Sequence, residues 1–122
     1  MCRRTTQMAD DLFRIFEEKA VSVLELRIGP EIDALLMDTI LEAVTVMLRD
    51  GSAWVLDLAQ VNYLNSAGLG LLVNIRFRIR KSRGRLALCG LSPALLQLFR
   101  SCCLEQLFTI VRSREDALRA VR

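Results

Sequence analysis

Short apolar runs along the chain alternate with longer stretches that are apolar at every third or fourth position. This pattern is typical of an α/β domain, in which strands and helices follow one another. The predicted strands lie at residues 11–18, 20–28, 53–58, 85–90 and 109–111. The predicted helices lie between and after them, at residues 34–49, 67–82, 93–102 and 114–122. The order β-β-α-β-α-β-α-β-α predicts a single α/β domain over residues 11–122, with a mainly parallel sheet of four to five strands and about four helices, preceded by an N-terminal extension at residues 1–10.

Residues 67–82 carry two conflicting patterns. Ile75, Phe77 and Ile79 alternate with arginines, which is a strand pattern when the period alone is considered. A connection between two parallel strands, however, needs a crossover of about this length, usually a helix. We therefore predict a helix over this segment.

Residues that favour helix ends flank the predicted helices. Asp33 is a candidate N-cap for the first of them, and Gly51 is suited to a left-handed C-terminal cap. Gly84 is predicted to end the second helix. Ser113 is a candidate N-cap for the last helix, and Asp116, three residues later, completes a sequence similar to a capping box.

The composition excludes several kinds of chemistry. The chain of 122 residues contains no histidine, which removes Ser-His-Asp triads, Cys-His pairs and zinc sites that need histidine. No carboxylate pair lies near a glycine-rich loop, so a hydrolase is a poor hypothesis. We expect neither a metal nor a cofactor. No apolar run is long enough to span a membrane and the N-terminus has no signal-peptide core, so we expect a cytoplasmic protein without membrane insertion.

The four cysteines, Cys2, Cys89, Cys102 and Cys103, form no C-x-x-C pair. We interpret them as small buried apolar residues in a reducing compartment. A thiol switch at Cys102 or Cys103 is the alternative.

Charge is distributed unevenly along the chain. Residues 1–57 hold 6 basic and 11 acidic residues, whereas residues 58–122 hold 11 basic and 3 acidic residues. Six of the basic residues lie between Arg76 and Arg85. This basic stretch could attract an acidic protein, anionic lipid or nucleic acid, but Phe77 is the one aromatic residue within it, so we expect no direct nucleic-acid binding. A solvated helix face is the favoured interpretation.

The central part of the chain carries a recognisable set of motifs. A strand reading V-L-D-L at residues 55–58 is followed by Y-L-N-S-A-G-L-G at residues 63–70, and then by G-R-L-A-L-C-G-L-S-P at residues 84–93. These segments, together with residues 29–33, 104–108 and 113–120, resemble the STAS domain of the anti-sigma factor antagonists. The resemblance covers roughly residues 11–121 and implies the α/β fold of that family.

In that family the first serine of a D-S-S-G motif is phosphorylated by an anti-sigma factor that is itself a serine kinase, and a serine phosphatase removes the phosphate. The resemblance places Ser66 at this serine, with Asn65 where the family has Asp and Ala67 where it has the second Ser. It also implies a partner-binding surface, formed by Asp33, Asn65, Ser66, Ala67, Gly68 and Leu69. The chain would be a monomer or a weak dimer.

The physical chemistry of Ser66 leaves two interpretations open. At the start of a helix, its side chain could simply serve as an N-cap. Alternatively, it could be a regulated hydroxyl, since a helix N-terminus tolerates the charge of a phosphate. Asn65 is expected to cap the helix or bind the loop, and Gly68 and Gly70 to let a partner approach the first turn closely.

A different function is compatible with the same motifs. STAS domains also occur as soluble subunits of membrane transport systems for lipids or anions, where they act as protein-binding modules without phosphorylation. Asn65 and Ala67 agree with that role as well.

Overall fold

The computed structural model describes residues 7–8, 12–27 and 33–122, and over these ranges it confirms the α/β architecture predicted from the sequence. The strands are β1 (Gln7–Met8), β2 (Phe13–Glu18), β3 (Val21–Leu26), β4 (Ala53–Asp57), β5 (Arg85–Cys89) and β6 (Thr109–Val111). The helices are α1 (Ala34–Met47), α2 (Ser66–Lys81), α3 (Pro93–Ser101) and α4 (Arg114–Ala120).

The strands form one sheet in the order β1-β2-β3-β4-β5-β6. β3, β4, β5 and β6 are parallel to one another, β2 is antiparallel to β3, and the short β1 is antiparallel to β2. The five longer strands are those predicted. β1 adds a pairing within residues 1–10, the segment that we assigned to an N-terminal extension.

A two-residue turn joins β2 to β3. Glu18 pairs with Val21, and the turn residues Lys19 and Ala20 both have positive φ angles, 53° and 67°. Two consecutive left-handed residues form the type I′ turn that matches the twist of a hairpin, although Asn-Gly is the usual sequence there. Ala20 therefore lies in the turn, and not in the strand that we predicted from residue 20 onward.

Apolar side chains pack on both faces of the sheet. The larger cluster lies between the sheet and α1, α2 and α3, and includes Trp54, the one tryptophan of the chain. Trp54 is 1% exposed, and its Nε1 donates a hydrogen bond to Ser52 Oγ at 3.0 Å. The smaller cluster joins Val55, Ala87 and Cys89 of the sheet to Ala117 and Leu118 of α4. α1, α2 and α3 thus lie on one face, and α4 covers the other.

The conflict of patterns in residues 67–82 is resolved in favour of the predicted helix. Ile75 and Ile79, four residues apart, are buried at 1% and 0% exposure, while Phe77 between them is 60% exposed. The four-residue spacing follows the buried side of a helix, whereas a strand would have placed all three on one face.

Two helices end differently from the predictions. α1 ends at Met47 with Leu48 as its C-cap, so Gly51, although its φ is +74°, lies in the following turn and does not cap the helix. After α2, Arg83 adopts the left-handed conformation, with a φ of 61°. Gly84 is needed for another reason, because a Cβ there would lie 2.6 Å from the backbone oxygen of Ser52.

Candidate functional site

Two helices begin at the same edge of the sheet. β3 ends at Leu26 and β4 ends at Asp57, and these parallel strands lie side by side. We call this end of the sheet the carboxyl edge, and the opposite end the amino edge. α1 follows β3 and α2 follows β4, so both helices run from the carboxyl edge to the amino edge, with their N-termini at the carboxyl edge.

Asn65 is the N-cap of α2. Its backbone is extended, with a ψ of −177°, and its Oδ1 accepts a hydrogen bond from the Gly68 N–H at 2.8 Å. The N–H of Leu69 donates to the Asn65 backbone oxygen at 3.0 Å. The capping role expected of Asn65 is confirmed.

Ser66 is therefore the first residue inside the helix, and the interpretation of its side chain as an N-cap is wrong. The reason is geometric: the cap position needs an extended backbone, and Asn65 already occupies it. The Ser66 side chain is exposed, and its hydroxyl has no hydrogen-bond partner within residues 7–8, 12–27 and 33–122. The N–H groups of a first helical turn have no acceptors within their own helix, so they and the helix dipole favour an anion at this position.

The two glycines of this turn differ in their surroundings. Gly68 is buried, and a Cβ there would lie 2.8 Å from Leu64 Cδ2 and 3.3 Å from Leu64 Cβ. Packing inside the chain is therefore what requires a glycine at residue 68. A Cβ on Gly70 would meet nothing within 4 Å, so the space above Gly70 is open.

Asp33 caps α1, as predicted. Its Oδ1 accepts a hydrogen bond from the Leu36 N–H at 2.8 Å, and the residue is exposed. Ala67 and Leu69, on the first turn of α2, are partly buried. All of the candidate partner-binding residues thus belong to the two helix starts at the carboxyl edge.

Two exposed apolar side chains accompany these helix starts. Leu35, in the first turn of α1, is 76% exposed, and Tyr63, two residues before the α2 cap, is 50% exposed. Sequence reasoning did not single them out, because their exposure depends on which side of each element faces the core. Large apolar side chains exposed beside polar caps are typical of protein-binding surfaces.

A cluster of ion pairs lies on the opposite face of the sheet, centred on the carboxyl ends of β3 and β4, and we call it the Arg114 cluster. Arg114 contacts Glu25 at 2.6 Å, Asp57 at 3.3 Å and Glu18 at 3.4 Å, and Arg14 contacts Glu25 at 2.8 Å. Its members come from β2, β3, β4 and α4. No local motif marks such long-range pairs, and sequence reasoning missed them.

The Arg114 cluster joins α4 to the sheet. Burial acts to lower the pKa of Arg114, but the hydrogen bond with Glu25 and the charges of Asp57, Glu25 and Glu18 outweigh it and raise the pKa. Arg114 therefore stays charged. The guanidinium groups of Arg14 and Arg114 also lie 4.8 Å and 5.4 Å from the centre of the Phe16 ring.

The basic stretch from Arg76 to Arg85 does not form one surface. Its arginines are bound to different parts of the chain: Arg76 to the Leu107 backbone oxygen, Arg78 to Thr45, Arg83 to Asp50 and Arg85 to the Val121 backbone oxygen. The end of α2 and the start of β5 also lie at the amino edge, away from Ser66. Internal bonding thus accounts for much of this stretch.

The cysteines fall into two groups. Cys89 is buried, as predicted, and burial together with the nearby Asp57 charge raises the pKa of its thiol from 9.0 to about 12. Cys102 and Cys103 are exposed, so their interpretation as buried apolar residues is wrong. They follow α3, whose apolar side is already filled by Leu95 and Phe99. Cys2 lies outside the described residues.

The parts of the chain that the structure describes contain no group of three or more Cys, Asp or Glu side chains arranged to hold a metal ion. Within the same parts, no helix is both long enough and apolar enough to cross a membrane.

Comparisons with known proteins agree with this architecture. The family model for the STAS domain matches residues 16–117. The anti-sigma-B factor antagonist of Listeria monocytogenes is 32% identical over 84 residues, which are 68% of this chain and 74% of that protein.

Two solved structures share the fold. The Bacillus cell fate determinant SpoIIAA in its phosphorylated form has a TM-score of 0.66 at 18% identity, covering 90% of this chain and 99% of that one. A sulfate transporter family protein from Wolinella succinogenes has a TM-score of 0.70 at 18% identity, covering 85% of this chain and 86% of that one. With the family model covering most of its length, the chain belongs to the STAS domain family, and the anti-sigma factor antagonists are among its relatives.

Proposed function

We propose that this protein is an anti-sigma factor antagonist without enzymatic activity, which binds a serine-kinase anti-sigma factor through the surface around Ser66. Phosphorylation of Ser66 by that kinase ends the binding, and a serine phosphatase restores it. The observation that carries the proposal is the free, exposed Ser66 hydroxyl at the start of α2, directly after the Asn65 cap. The name of the Listeria relative supports the anti-sigma factor as the class of partner.

The position of Ser66 suits a switch that leaves the fold intact. A phosphate would add nearly two negative charges at a helix N-terminus, where the first-turn N–H groups and the helix dipole stabilise anions. Ser66 makes no side-chain bond within the described residues that a phosphate would break. The phosphorylated form of SpoIIAA, which shares this fold, supports the same view.

A bound partner would respond differently to the same phosphate. Its surface would meet new bulk and charge beside Leu35 and Tyr63, the exposed apolar side chains of this edge. Unfavourable charge placed across a closed interface costs several kcal/mol. The modification would therefore act on binding and leave the stability of the domain almost unchanged.

The remaining candidate residues take supporting roles in this proposal. Asp33 and Asn65 cap the two helices that begin at the same edge as Ser66, while Ala67 and Leu69 follow Ser66 on the first turn of α2. Gly68, which is buried, lets that turn pack closely against Leu64.

The test is the affinity of the cognate anti-sigma kinase for the wild type, Ser66→Asp and Ser66→Ala. We expect Ser66→Asp to bind much more weakly and Ser66→Ala to bind as the wild type does. Incubation with the kinase and ATP should add one phosphate, located at Ser66 by mass spectrometry. Equal affinity of Ser66→Asp and wild type would remove the switch.

Ser101→Asp is the matched control, because Ser101 is an exposed serine at the end of α3, on the amino edge. It introduces the same charge far from Ser66 and should leave the affinity unchanged.

A second candidate function follows from the likeness to the sulfate transporter family protein. In that case the same surface would bind a transport protein, and Ser66 would need no phosphate. Co-purification with a transporter ATPase, together with unphosphorylated Ser66 in protein from native cells, would favour this alternative.

A further inference from the structure

The outer side of α1 carries a stripe of acidic and apolar residues that nothing in the described chain covers. Leu35 and Val46 are 76% and 77% exposed, and Asp38 and Glu42 between them are exposed carboxylates. Spacings of three and four residues place all four on one side of the helix, and we call them the α1 stripe. Within the described residues, neither carboxylate has an ion-pair partner.

The neighbouring helix carries the opposite charge. On α2, Val73, Phe77, Arg80 and Lys81 form the α2 stripe, in which Phe77 is 60% exposed and Lys81 Nζ lies 5.9 Å from its ring centre. α2 contains no acidic residue, and α1 contains no basic residue. Arg80 is exposed and has no ion-pair partner in the ranges that the structure describes.

The two stripes belong to adjacent helices on one face of the sheet. α1 and α2 are joined by a hydrogen bond of 2.8 Å from Arg78 Nη1 to Thr45 Oγ1. Leu35, Val46 and Phe77 are three of the five large apolar side chains found exposed among the described residues, so most of these exposed side chains lie on this helix layer. An acidic apolar surface therefore lies beside a basic apolar surface.

Such a surface is complementary to itself. A two-fold axis between the two helices would place the α1 stripe of one molecule on the α2 stripe of another, and the reverse contact would form at the same time. We propose that this helix layer is an isologous interface with a second copy of the same chain.

The directions of the helices determine the arrangement. Both run from the carboxyl edge to the amino edge, so a two-fold axis that lies between the two molecules and parallel to the helices makes α1 parallel to α2 of the second copy. Glu42 and Val46, near the end of α1, then face Phe77 and Lys81, near the end of α2 of the second copy.

The size of the contact predicts weak association. α1 and α2 have 14 and 16 residues, which makes them only about 21 Å and 24 Å long. The interface is therefore at the small end of specific interfaces, and dimers should form only at high protein concentration. Leu35 also borders the surface proposed for the anti-sigma factor, so dimer formation and partner binding would compete for it.

The test is sedimentation equilibrium of the full chain up to millimolar concentration, with three variants. The first, Asp38→Lys with Glu42→Lys, makes both stripes basic. The second, Arg80→Glu with Lys81→Glu, makes both stripes acidic. The third, Glu115→Lys, changes an exposed carboxylate on α4, on the opposite face of the sheet, and serves as the control. Circular dichroism establishes that each variant is folded.

We expect the wild type and Glu115→Lys to dimerise with the same constant, and each double variant alone to dimerise at least about tenfold more weakly. An equal mixture of the two double variants should form heterodimers as readily as the wild type forms dimers. A wild type that stays monomeric at every concentration would overturn the proposal and leave the surface to a different protein. The proposal would also be overturned if the double variants dimerised as the wild type does, or if the mixture of the two double variants stayed monomeric. Because no anti-sigma factor takes part, the result is independent of the proposed function.

Discussion

Asn65 and Gly68 close the first turn of α2 by a hydrogen bond of 2.8 Å between the Asn65 side-chain oxygen and the Gly68 N–H. Because the neighbouring side chain performs the capping, the intervening Ser66 hydroxyl makes no hydrogen bond to any residue that the structure describes. The accessibility of Ser66 thus depends on the residue that precedes it.

Replacing Asn65 tests this relationship. Asn65→Ala removes the cap and should lower the free energy of unfolding by about 1 kcal/mol. Asn65→Asp keeps the acceptor and adds a negative charge at the positive end of the helix dipole, so it should be as stable as the wild type or more so. Urea unfolding followed by circular dichroism gives both values. An Asn65→Ala protein as stable as the wild type would show that the bond contributes nothing.

Alanine at the two glycines of this turn should have opposite effects. Gly68→Ala places a Cβ 2.8 Å from the buried Leu64 side chain, and should cost about 1 kcal/mol or more. Gly70→Ala enters open space and removes the conformational entropy cost of a glycine in a helix, so it should stabilise the domain by up to about 1 kcal/mol. Urea unfolding of the two variants measures both changes in stability. Equal shifts of their unfolding midpoints relative to the wild type would contradict the packing argument.

Removing Arg114 should destabilise the domain strongly. Arg114→Ala removes the cation that pairs with Asp57, whose side chain is only 12% exposed, and leaves the equally buried Glu25 with Arg14 alone at close distance. The loss should cost about 2 kcal/mol or more. Arg119→Ala is the control on the same helix, since Arg119 pairs with Asp116 at the surface, and it should cost less than about 1 kcal/mol. If the two variants were equally stable in thermal unfolding, the cluster would not hold α4 to the sheet.

The thiols should differ in reactivity. In the folded protein, iodoacetamide should modify Cys102 and Cys103, which are exposed, and leave Cys89, which is 1% exposed and whose pKa is raised to about 12. After unfolding in urea, Cys89 should react as well. Peptide mapping by mass spectrometry identifies the modified residues, and rapid labelling of Cys89 in the native protein would contradict its burial.

The raised pKa of Cys89 also predicts a pH dependence of stability. Because the thiol ionises at about 12 in the folded chain and near 9.0 when unperturbed, the unfolded chain loses this proton first as the pH rises. The stability that the protonated thiol contributes is complete below pH 9 and is lost between pH 9 and 12, by at most about 1.4 kcal/mol per pH unit. Cys89→Ala should lack this part of the decline, so the difference in unfolding free energy between the two proteins should change above pH 9. A constant difference would show that Cys89 does not titrate on unfolding.

Much of the fold could be predicted from the sequence, because the spacing of apolar residues along the chain reflects which side chains of a strand or helix are buried. The strands β4 and β5 are apolar at consecutive positions over residues 53–56 and 86–89, as buried parallel strands are. α2 was the most difficult element to predict, because the alternation of its arginines with apolar residues is typical of a strand. The need for a crossover between two parallel strands favoured the helix instead. Ala20 was misplaced because its turn has neither of the residues, Asn or Gly, that normally mark a type I′ hairpin.

The candidate site was only partly predictable. Cap chemistry marked Asp33 and Asn65 because it depends on residues three positions away. The exposure of Leu35 and the Arg114 cluster depend on segments that meet only in the folded chain, so no local pattern could report them. The exposure of Cys102 was not predicted for a similar reason. The prediction used the usual burial of cysteine residues, whereas the exposure of Cys102 results from its position at the end of α3.

The burial of Trp54 has a practical consequence. As the single tryptophan, packed under the helix layer with its indole N–H bonded to Ser52, it is an intrinsic optical probe of the core. Its emission should shift to longer wavelength when the domain opens and should respond little to a ligand bound at the surface. Fluorescence can therefore separate loss of folding from loss of binding in any variant of this protein without an added label.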